Sequence, residues 1–399
     1  MQNNKINEFK GYLIEAPNYL SNFLFAIFFL LASPILLEIS SDTGLDPANL
    51  SLIFTLYTIG GIIGQLTSVF YSRKFTRLNI IIFSYIILIP IAIILFFTYE
   101  LVMFYILYFL AGYLLGVVWI QANANVFESK VKNKDRITTI ALTFYPIGAV
   151  FAPMIASGIV ESRLAWRYIY MVLIAVVLLT MALYIIITRK IEYAEIDGKK
   201  RYSLKDIFSN KTNNILLVVI SFALVSYGVA ETVISTWSPT FFRLARGFEV
   251  GQAGFIGSLF FISVIIGRII VGALAGKVKN FSIMIILASL ATISVSFSLI
   301  IDSSTLIFTG IFFAGLGFSG LFPLLISNGN KVFEEGKDLV ATILFAAVNL
   351  GLSIAPFLTR LISSYDLFLS VFMATIFMVL TLLFIISQHV IKKGYKNQL

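Results

Sequence analysis

Glu231 is the residue of this sequence best placed to do chemistry, because it is the one carboxylate set well inside a long apolar stretch. A charged group in hydrocarbon costs about 2.5 to 3.5 kcal/mol, so an acid kept there faces water or a partner. Such a carboxylate can take up and release a proton; the plainer alternative is a structural acid paired with an arginine or with backbone donors. Tyr227, Glu231, Ser235 and Ser238 share one helical face and predict a polar stripe lining a cavity. Gln121 and Asn125 lie four residues apart beside Trp119, and Asn328, Asn349 and Ser353 form a similar set further along. Amides both donate to and accept from hydroxyls, so these groups would either contact a polar solute or join helices to one another. Asn22, Phe25, Tyr145 and Trp237 are further candidates to line a path, since aromatic rings stack on sugar faces and apolar ligands alike. Arg268 is the only basic residue clearly within an apolar stretch. It would either bind an anion or, as expected here, snorkel towards the basic loop two to three turns away.

Other chemistry has few residues to draw on. The chain has no cysteine, and its one histidine, His389, falls at the end of the last apolar run. Disulfides, thiolate metal sites and cysteine nucleophiles are therefore excluded, and no metal or cofactor is expected. No Gly-rich Lys-Ser/Thr phosphate loop is present, which argues against ATP as the energy source.

The elements that position these residues follow from composition. Of 399 residues, 59% are hydrophobic and 12% charged, against about 25% charged in an ordinary soluble domain. Crossing the hydrocarbon takes about 20 apolar residues. Apolar runs at 17–38, 50–71, 78–97, 101–127, 138–160, 167–187, 213–238, 250–275, 281–301, 305–329, 338–362 and 366–390 predict twelve helices. The stretch before Tyr19 is polar, and no small-residue cleavage site follows the first run, so that run is expected to be a retained span. With both termini assigned to the cytoplasm, 23 of the 29 Lys and Arg fall on inner segments. Arg163, Arg167, Arg243, Arg246 and Arg360 fall outside, and Arg268 falls within a span. The net charge of +9 is thus an insertion signal and calls for no nucleic-acid partner.

A repeat runs through the chain at a constant offset of 203 residues. Gly44 matches Gly247, Ile62-Ile63-Gly64 matches Ile265-Ile266-Gly267, and Ala111-Gly112 matches Ala314-Gly315. Asn125 matches Asn328, Gly148 matches Gly351, and Ala152-Pro153 matches Ala355-Pro356. The longest polar break, around residues 189–212, separates the halves. The expected organisation is a six-helix unit at 1–188, a cytoplasmic linker at 189–212 and a second six-helix unit at 213–399. Parallel six-span repeats with a midplane site are the design of alternating-access carriers.

These residues resemble the major facilitator superfamily over essentially the whole chain. The segment Gly64 to Arg77, with Arg73-Lys74, is similar to that family's Gly-rich basic loop, and so is Gly272 to Lys279. The resemblance assigns gating roles to Arg73, Lys74, Arg77 and Lys277, although Arg73 and Gly276 stand where the pattern has an acid. Trp166-Arg167 resembles a common start of the sixth helix and is expected to be an interfacial anchor. A narrower likeness, to the fucose permease branch of sugar:proton symporters, rests on three segments: Tyr227-Gly228-Val229-Ala230-Glu231, Gln121-Ala122-Asn123-Ala124-Asn125, and Phe322-Pro323 with Ser327 and Gly329. Gln121 stands where that branch has an acid, and Tyr19 to Leu37 lacks the acid of its first helix.

The resulting expectation is an all-α membrane protein of twelve spanning helices in two pseudo-symmetric bundles, carrying a small polar solute, sugar-like, across the inner cell membrane. Proton coupling through Glu231 and a monomeric state complete it. The rivals are an exporter of drugs, metabolites or a metal-chelating compound on the same fold, and a membrane sensor that moves no cargo.

Overall fold

A computed structural model describes residues 13–72, 74–127, 134–188, 210–274, 277–333 and 337–396. Among them twelve helices are long and apolar enough to cross a membrane: α1 Ala16–Thr43, α2 Pro47–Ser68, α3 Arg77–Phe97, α4 Leu101–Val126, α5 Ile140–Glu161, α6 Tyr168–Ile187, α7 Lys211–Arg246, α8 Val250–Leu274, α9 Asn280–Ile300, α10 Ser304–Val332, α11 Ile343–Ser363 and α12 Leu367–Lys392. Their starts are written locally. Asp46 accepts from the Asn49 amide ahead of α2, with Pro47 in the first turn, and Asn210 accepts from the Thr212 and Asn213 amides ahead of α7.

The chain divides into two compact units, Met1–Asp197 with Val250–Ser258, and Gly198–Glu249 with Leu259–Leu399. Helix α8 contributes to both. Its first turns belong to the first unit, where the Ser258 hydroxyl donates to the Val150 carbonyl at 2.8 Å.

The repeat is visible in each unit as the same backbone contacts. A Cβ on Gly112 would strike the Tyr57 carbonyl, and one on its mate Gly315 would strike the carbonyl of Phe260, the mate of Tyr57. Gly64 sits against the Tyr113 carbonyl; its mate Gly267 sits against Ser319 and the carbonyl of Leu316, the mate of Tyr113. Gly148 lies under the Phe23 carbonyl of α1, and Gly351 under the Val225 carbonyl of α7. In lipid, water-driven hydrophobic association between helices is lost, and close backbone approach through small residues supplies packing instead. The sequence matches therefore mark places where a side chain would hold two helices apart.

Helices α1 and α7 are both broken in their last thirds. In α1 a 3₁₀ turn at Ser33–Ile35 carries Pro34. In α7 a π turn at Val233–Trp237 is followed by Pro239. Proline has no N–H for the preceding turn, so the hydrogen-bond register shifts around it. Both helices then run further than their apolar stretches predict, to Thr43 and Arg246 rather than to 38 and 238. They end where Gly44 (φ 71°) and Gly247 (φ 66°) adopt the left-handed conformation that glycine adopts without strain.

An arginine closes each unit near these ends. Arg167 donates to the Phe96 and Thr98 carbonyls at the end of α3 (2.9 and 2.8 Å) and to Asp42 at the end of α1 (2.8 Å), and it lies over the Tyr99 ring at 4.0 Å. Trp166 adds an indole N–H to the same Asp42 at 3.1 Å. Both side chains are buried, so the expected interfacial anchor is instead a clasp joining α1, α3 and α6. In the second unit Arg246 donates to the carbonyl of Leu299, the mate of Phe96, at 3.0 Å and pairs with Asp302 at 3.0 Å. The arginine now comes from the α7 end, and Trp237 joins α7 to α12 through Ser370 at 2.9 Å.

Two expectations follow. Valine at Gly112 or Gly351 overpacks a backbone contact, at a cost of about 1 to 3 kcal/mol, whereas Gly158 has open space around its Cβ position. Size-exclusion profiles of detergent-extracted protein should show loss of the folded peak for the first two variants and retention for Gly158→Val. Arg167→Gln removes charge-assisted bonds from a side chain only 9% exposed, worth about 1.5 to 3 kcal/mol. Asp302→Asn alters a partner that is 84% exposed, worth under about 1 kcal/mol. Thermal unfolding should therefore separate the two; equal losses would refute the assignment of Arg167 as the stronger clasp.

Candidate functional site

The candidate residues form one group in each unit. In the first, α1, α4 and α6 share a closed polar core. Asn22 and Asn123 exchange amide hydrogen bonds, with Asn123 Nδ2 donating to Asn22 Oδ1 at 3.0 Å and the return bond at 3.4 Å. Asn125 donates to Asn18 Oδ1 at 3.2 Å, and the Tyr184 hydroxyl donates to the same oxygen at 2.8 Å. Asn18 in turn donates to Glu15 at 2.6 Å. The Ser21 hydroxyl lies 2.8 and 2.9 Å from those of Tyr85 and Tyr184. Gln121 donates to the Ser68 hydroxyl at 2.5 Å. Asn22, Gln121 and Asn125 are all buried within the unit, and Asn125 Oδ1 has no hydrogen-bond partner among the described residues.

Helices α1, α4 and α5 of this unit present a partly exposed aromatic cluster. The Phe25 ring of α1 lies 6.1 Å from Trp119 of α4 and 6.2 Å from Tyr145 of α5. All three rings keep some exposure. The rings are tilted to one another by 40° and 43°, an aromatic surface that suits a ligand with one apolar and one hydroxylated face.

In the second unit Glu231 lies on α7 just before the π turn and remains partly exposed. The Tyr227 hydroxyl bonds to its carboxyl and also lies 3.4 Å from the Phe318 carbonyl of α10. The Tyr227 ring packs on Phe318 and Phe322, with centroids at 5.6 and 6.4 Å. With one proton to give, Tyr227 can donate to an ionised Glu231, or donate to Phe318 and accept from a protonated one. That lets a single site hold either charge state without leaving a buried group unpaired.

Arg268 acts on Glu231 from α8. Arg268 shares the α8 face of Phe261 and Val264, both buried, while Ile269 and Ile270 are exposed.

The predicted stripe on α7 stops at Glu231. Ser235 and Ser238 are buried, and their hydroxyls donate to the carbonyls of Thr232 (3.3 Å) and Ile234 (2.5 Å) in their own helix. The π turn changes the residues per turn, so a 3.6-residue period no longer places them beneath Glu231. Trp237 is buried too, with its N–H given to Ser370. Asn328 and Asn349 are partly exposed. The Asn328 amide meets the weak acceptor sulfur of Met284 at 3.7 Å, and the Asn349 carbonyl accepts from Ser353 at 2.9 Å. Of the residues given gating roles, Lys74 and Lys277 are exposed, Arg77 is half-buried, and Arg73 lies outside the described residues.

Sequence reasoning missed two groups. Glu15, 1% exposed, is a second enclosed carboxylate, one residue ahead of α1 and just before the apolar run. Asn18 is the other, and it shares a helical face with Glu15 and Asn22, a spacing readable from the chain.

Comparison with known proteins agrees with the geometry. A family model described as Major Facilitator Superfamily matches residues 19–356. The glucose/mannose transporter GlcP of Bacillus subtilis (strain 168) is 21% identical over 334 residues, covering 82% of this chain and 81% of that protein. Among solved structures, a D-xylose–proton symporter superposes with a TM-score of 0.77 at 13% identity, covering 94% of this chain and 97% of its own. The nucleoside transporter NupG superposes with a TM-score of 0.70 at 10% identity, with coverages of 95% and 99%. At such identities the structures show the fold, and the family model covers most of the chain's length. This multi-pass membrane protein is a secondary transporter, not an enzyme, and belongs to the Major Facilitator Superfamily.

Proposed function

We propose that the protein is a proton-coupled symporter of a sugar-like polar solute in the cytoplasmic membrane, with both termini in the cytoplasm. Residues 1–188 and 213–399 rock as a monomer's two units, joined by 189–212, and expose the site alternately to each side. The observation that carries this reading is Glu231: a carboxylate within a span, partly exposed, beside a π turn, with a tyrosine able to serve both of its charge states. A carboxylate that can change charge inside the membrane is the element a proton-driven carrier requires.

Support for the cargo class comes from two sides. The partly exposed rings of Phe25, Trp119 and Tyr145 stand beside the amide core of the first unit. The similar proteins include a glucose/mannose transporter and a D-xylose–proton symporter. In this reading Asn22, Gln121, Asn125, Tyr145, Tyr227, Asn328 and Asn349 contact or frame the solute. The bonds that now tie Asn22, Gln121 and Asn125 to neighbours hold the amides in place until a hydroxyl competes for them.

The test compares wild type with Glu231→Gln in proteoliposomes. Wild-type accumulation of the sugar should follow the imposed pH gradient, about tenfold per pH unit at equilibrium for one proton. Glu231→Gln should lose accumulation yet keep counterflow within about twofold, because exchange needs no net proton movement. Gradient-driven accumulation that survives in Glu231→Gln would remove Glu231 from the coupling role.

A further inference from the structure

Glu15 is a carboxylate that the transport cycle proposed above leaves unused, and only 1% of it is exposed. It stands one residue ahead of α1, where its backbone carbonyl accepts from the Asn18 and Tyr19 amides and starts the helix. Its side chain does not cap that turn but reaches Asn18, whose Nδ2 donates to Glu15 Oε2 at 2.6 Å. A helix N-terminus favours negative charge, and a hydrogen bond this short is typical of one made to an ionised acceptor.

An ionised carboxylate can only accept, and this sets the direction of the donors behind it. Asn18 turns Nδ2 to Glu15, so its Oδ1 faces the other way and accepts from Asn125 Nδ2 at 3.2 Å and from the Tyr184 hydroxyl at 2.8 Å. Tyr184, its proton given to Asn18, can only accept from Ser21 at 2.9 Å. Ser21 has one proton for Tyr184 and for the Pro17 carbonyl, also 2.9 Å away, and so can only accept from Tyr85 at 2.8 Å. Side chains from α1, α3, α4 and α6 thus point their donors towards one acid. Asn125 has its Nδ2 committed to this network, and its Oδ1 is left over, enclosed and met by no described residue.

The shared scaffold does not demand this arrangement. At the repeat offset of 203 residues Glu15 falls on Val218, 53% exposed, and Asn125 falls on Asn328, whose amide meets the weak acceptor sulfur of Met284. A bundle of the same plan assembles without an acid at this place, so the acid serves more than packing. We infer that Glu15 is a positioning residue for recognition: acting through Asn18, it holds Asn125 so that Oδ1 is the acceptor for one hydroxyl of the cargo. The inference rests on the sugar-carrier reading above and assigns within it the atom of Asn125 that recognises the solute. An amide free to turn meets a hydroxyl equally well as donor or as acceptor. One held by Glu15 accepts only, and it discriminates against any group that has no proton to give. Leaving the oxygen unmet is costly, and a cargo hydroxyl that reaches it as the carrier opens removes that cost.

The experiment measures binding to the full chain in detergent, with D-glucose, D-mannose and D-xylose and their monodeoxy and monodeoxyfluoro analogues as probes. In wild type, removing one particular hydroxyl should weaken binding about tenfold, and fluorine in its place should restore none of it, because fluorine cannot donate. In Asn125→Leu the parent sugar should bind about tenfold more weakly, and removing the same hydroxyl should cost less than about twofold more. Glu15→Gln should behave like Asn125→Leu, since glutamine both donates and accepts and no longer sets the direction of Asn18. Glu15→Asp, which still only accepts, should recover part of the discrimination. The double variant should lose no more than either single one, as expected of residues that act through one contact. A purely structural Glu15 would lower stability without changing how parent and deoxy sugars rank. The wild-type and Asn125→Leu measurements can overturn the inference whether or not the Glu15 variants fold. A fluoro analogue that binds like its parent, or a hydroxyl penalty kept in full by Asn125→Leu, would do so while leaving the sugar-carrier reading intact. An undiminished penalty in folded Glu15→Gln would do the same. Binding of none of the sugars by wild type would refute the sugar reading and this inference with it.

Discussion

Hydrocarbon offers no hydrogen bonds, and nearly everything in this structure answers to that constraint. Backbone groups are met within helices, and the serines and threonines inside spans mostly return their hydroxyls to carbonyls one turn back, as Thr58, Ser84, Thr232 and Thr236 do. Asn22 and Asn123, enclosed in the first unit, pair their amides with each other. Where charge occurs near a helix end it is neutralised by carbonyls and a carboxylate, as at Arg167. Against this background of satisfied groups, Asn125 Oδ1 and Arg268 Nε are among the enclosed atoms that no described residue meets, and exceptions of this kind concentrate where a molecule works.

The same constraint explains how one six-helix plan appears twice. Helix contacts at Gly112 and Gly315, at Gly64, and at Gly148 and Gly351 are made first against backbone carbonyls; at Gly267 the Ser319 side chain comes nearer than the Leu316 carbonyl. Backbone geometry was retained while side chains diverged. The clasp near the ends of α1 and α7 shows the divergence directly: the carbonyls of Phe96 and Leu299 are equivalent, yet Arg167, at the start of α6, holds one and Arg246 of α7 holds the other.

Much of this was legible in the chain. Twelve apolar runs locate the twelve helices to within a few residues at most ends, because hydrocarbon thickness sets a minimum length that few other folds imitate. The glycine matches mark the tight contacts because only glycine tolerates them. What escaped is equally physical. The ends of α1 and α7 run on because helix continues beyond the apolar stretch until a left-handed glycine stops it. Ser235 and Ser238 leave the predicted stripe because a π turn, which has no clear residue signature, resets the helical phase. Glu15 escapes because it stands just ahead of the apolar run that marks the first span.

The backbone-level contacts carry a consequence for how the protein could have acquired a specialised site. A duplicated bundle whose packing depends on glycine and carbonyl positions leaves its interior side chains unconstrained by assembly. One copy is then free to collect neutral amides and aromatic rings, as at Asn22, Asn123 and Trp119, and the other to collect charge, as at Glu231 and Arg268. Recognition of a solute's shape and response to an ion gradient thereby become separable traits. Selection can retune either without remaking the scaffold that both require.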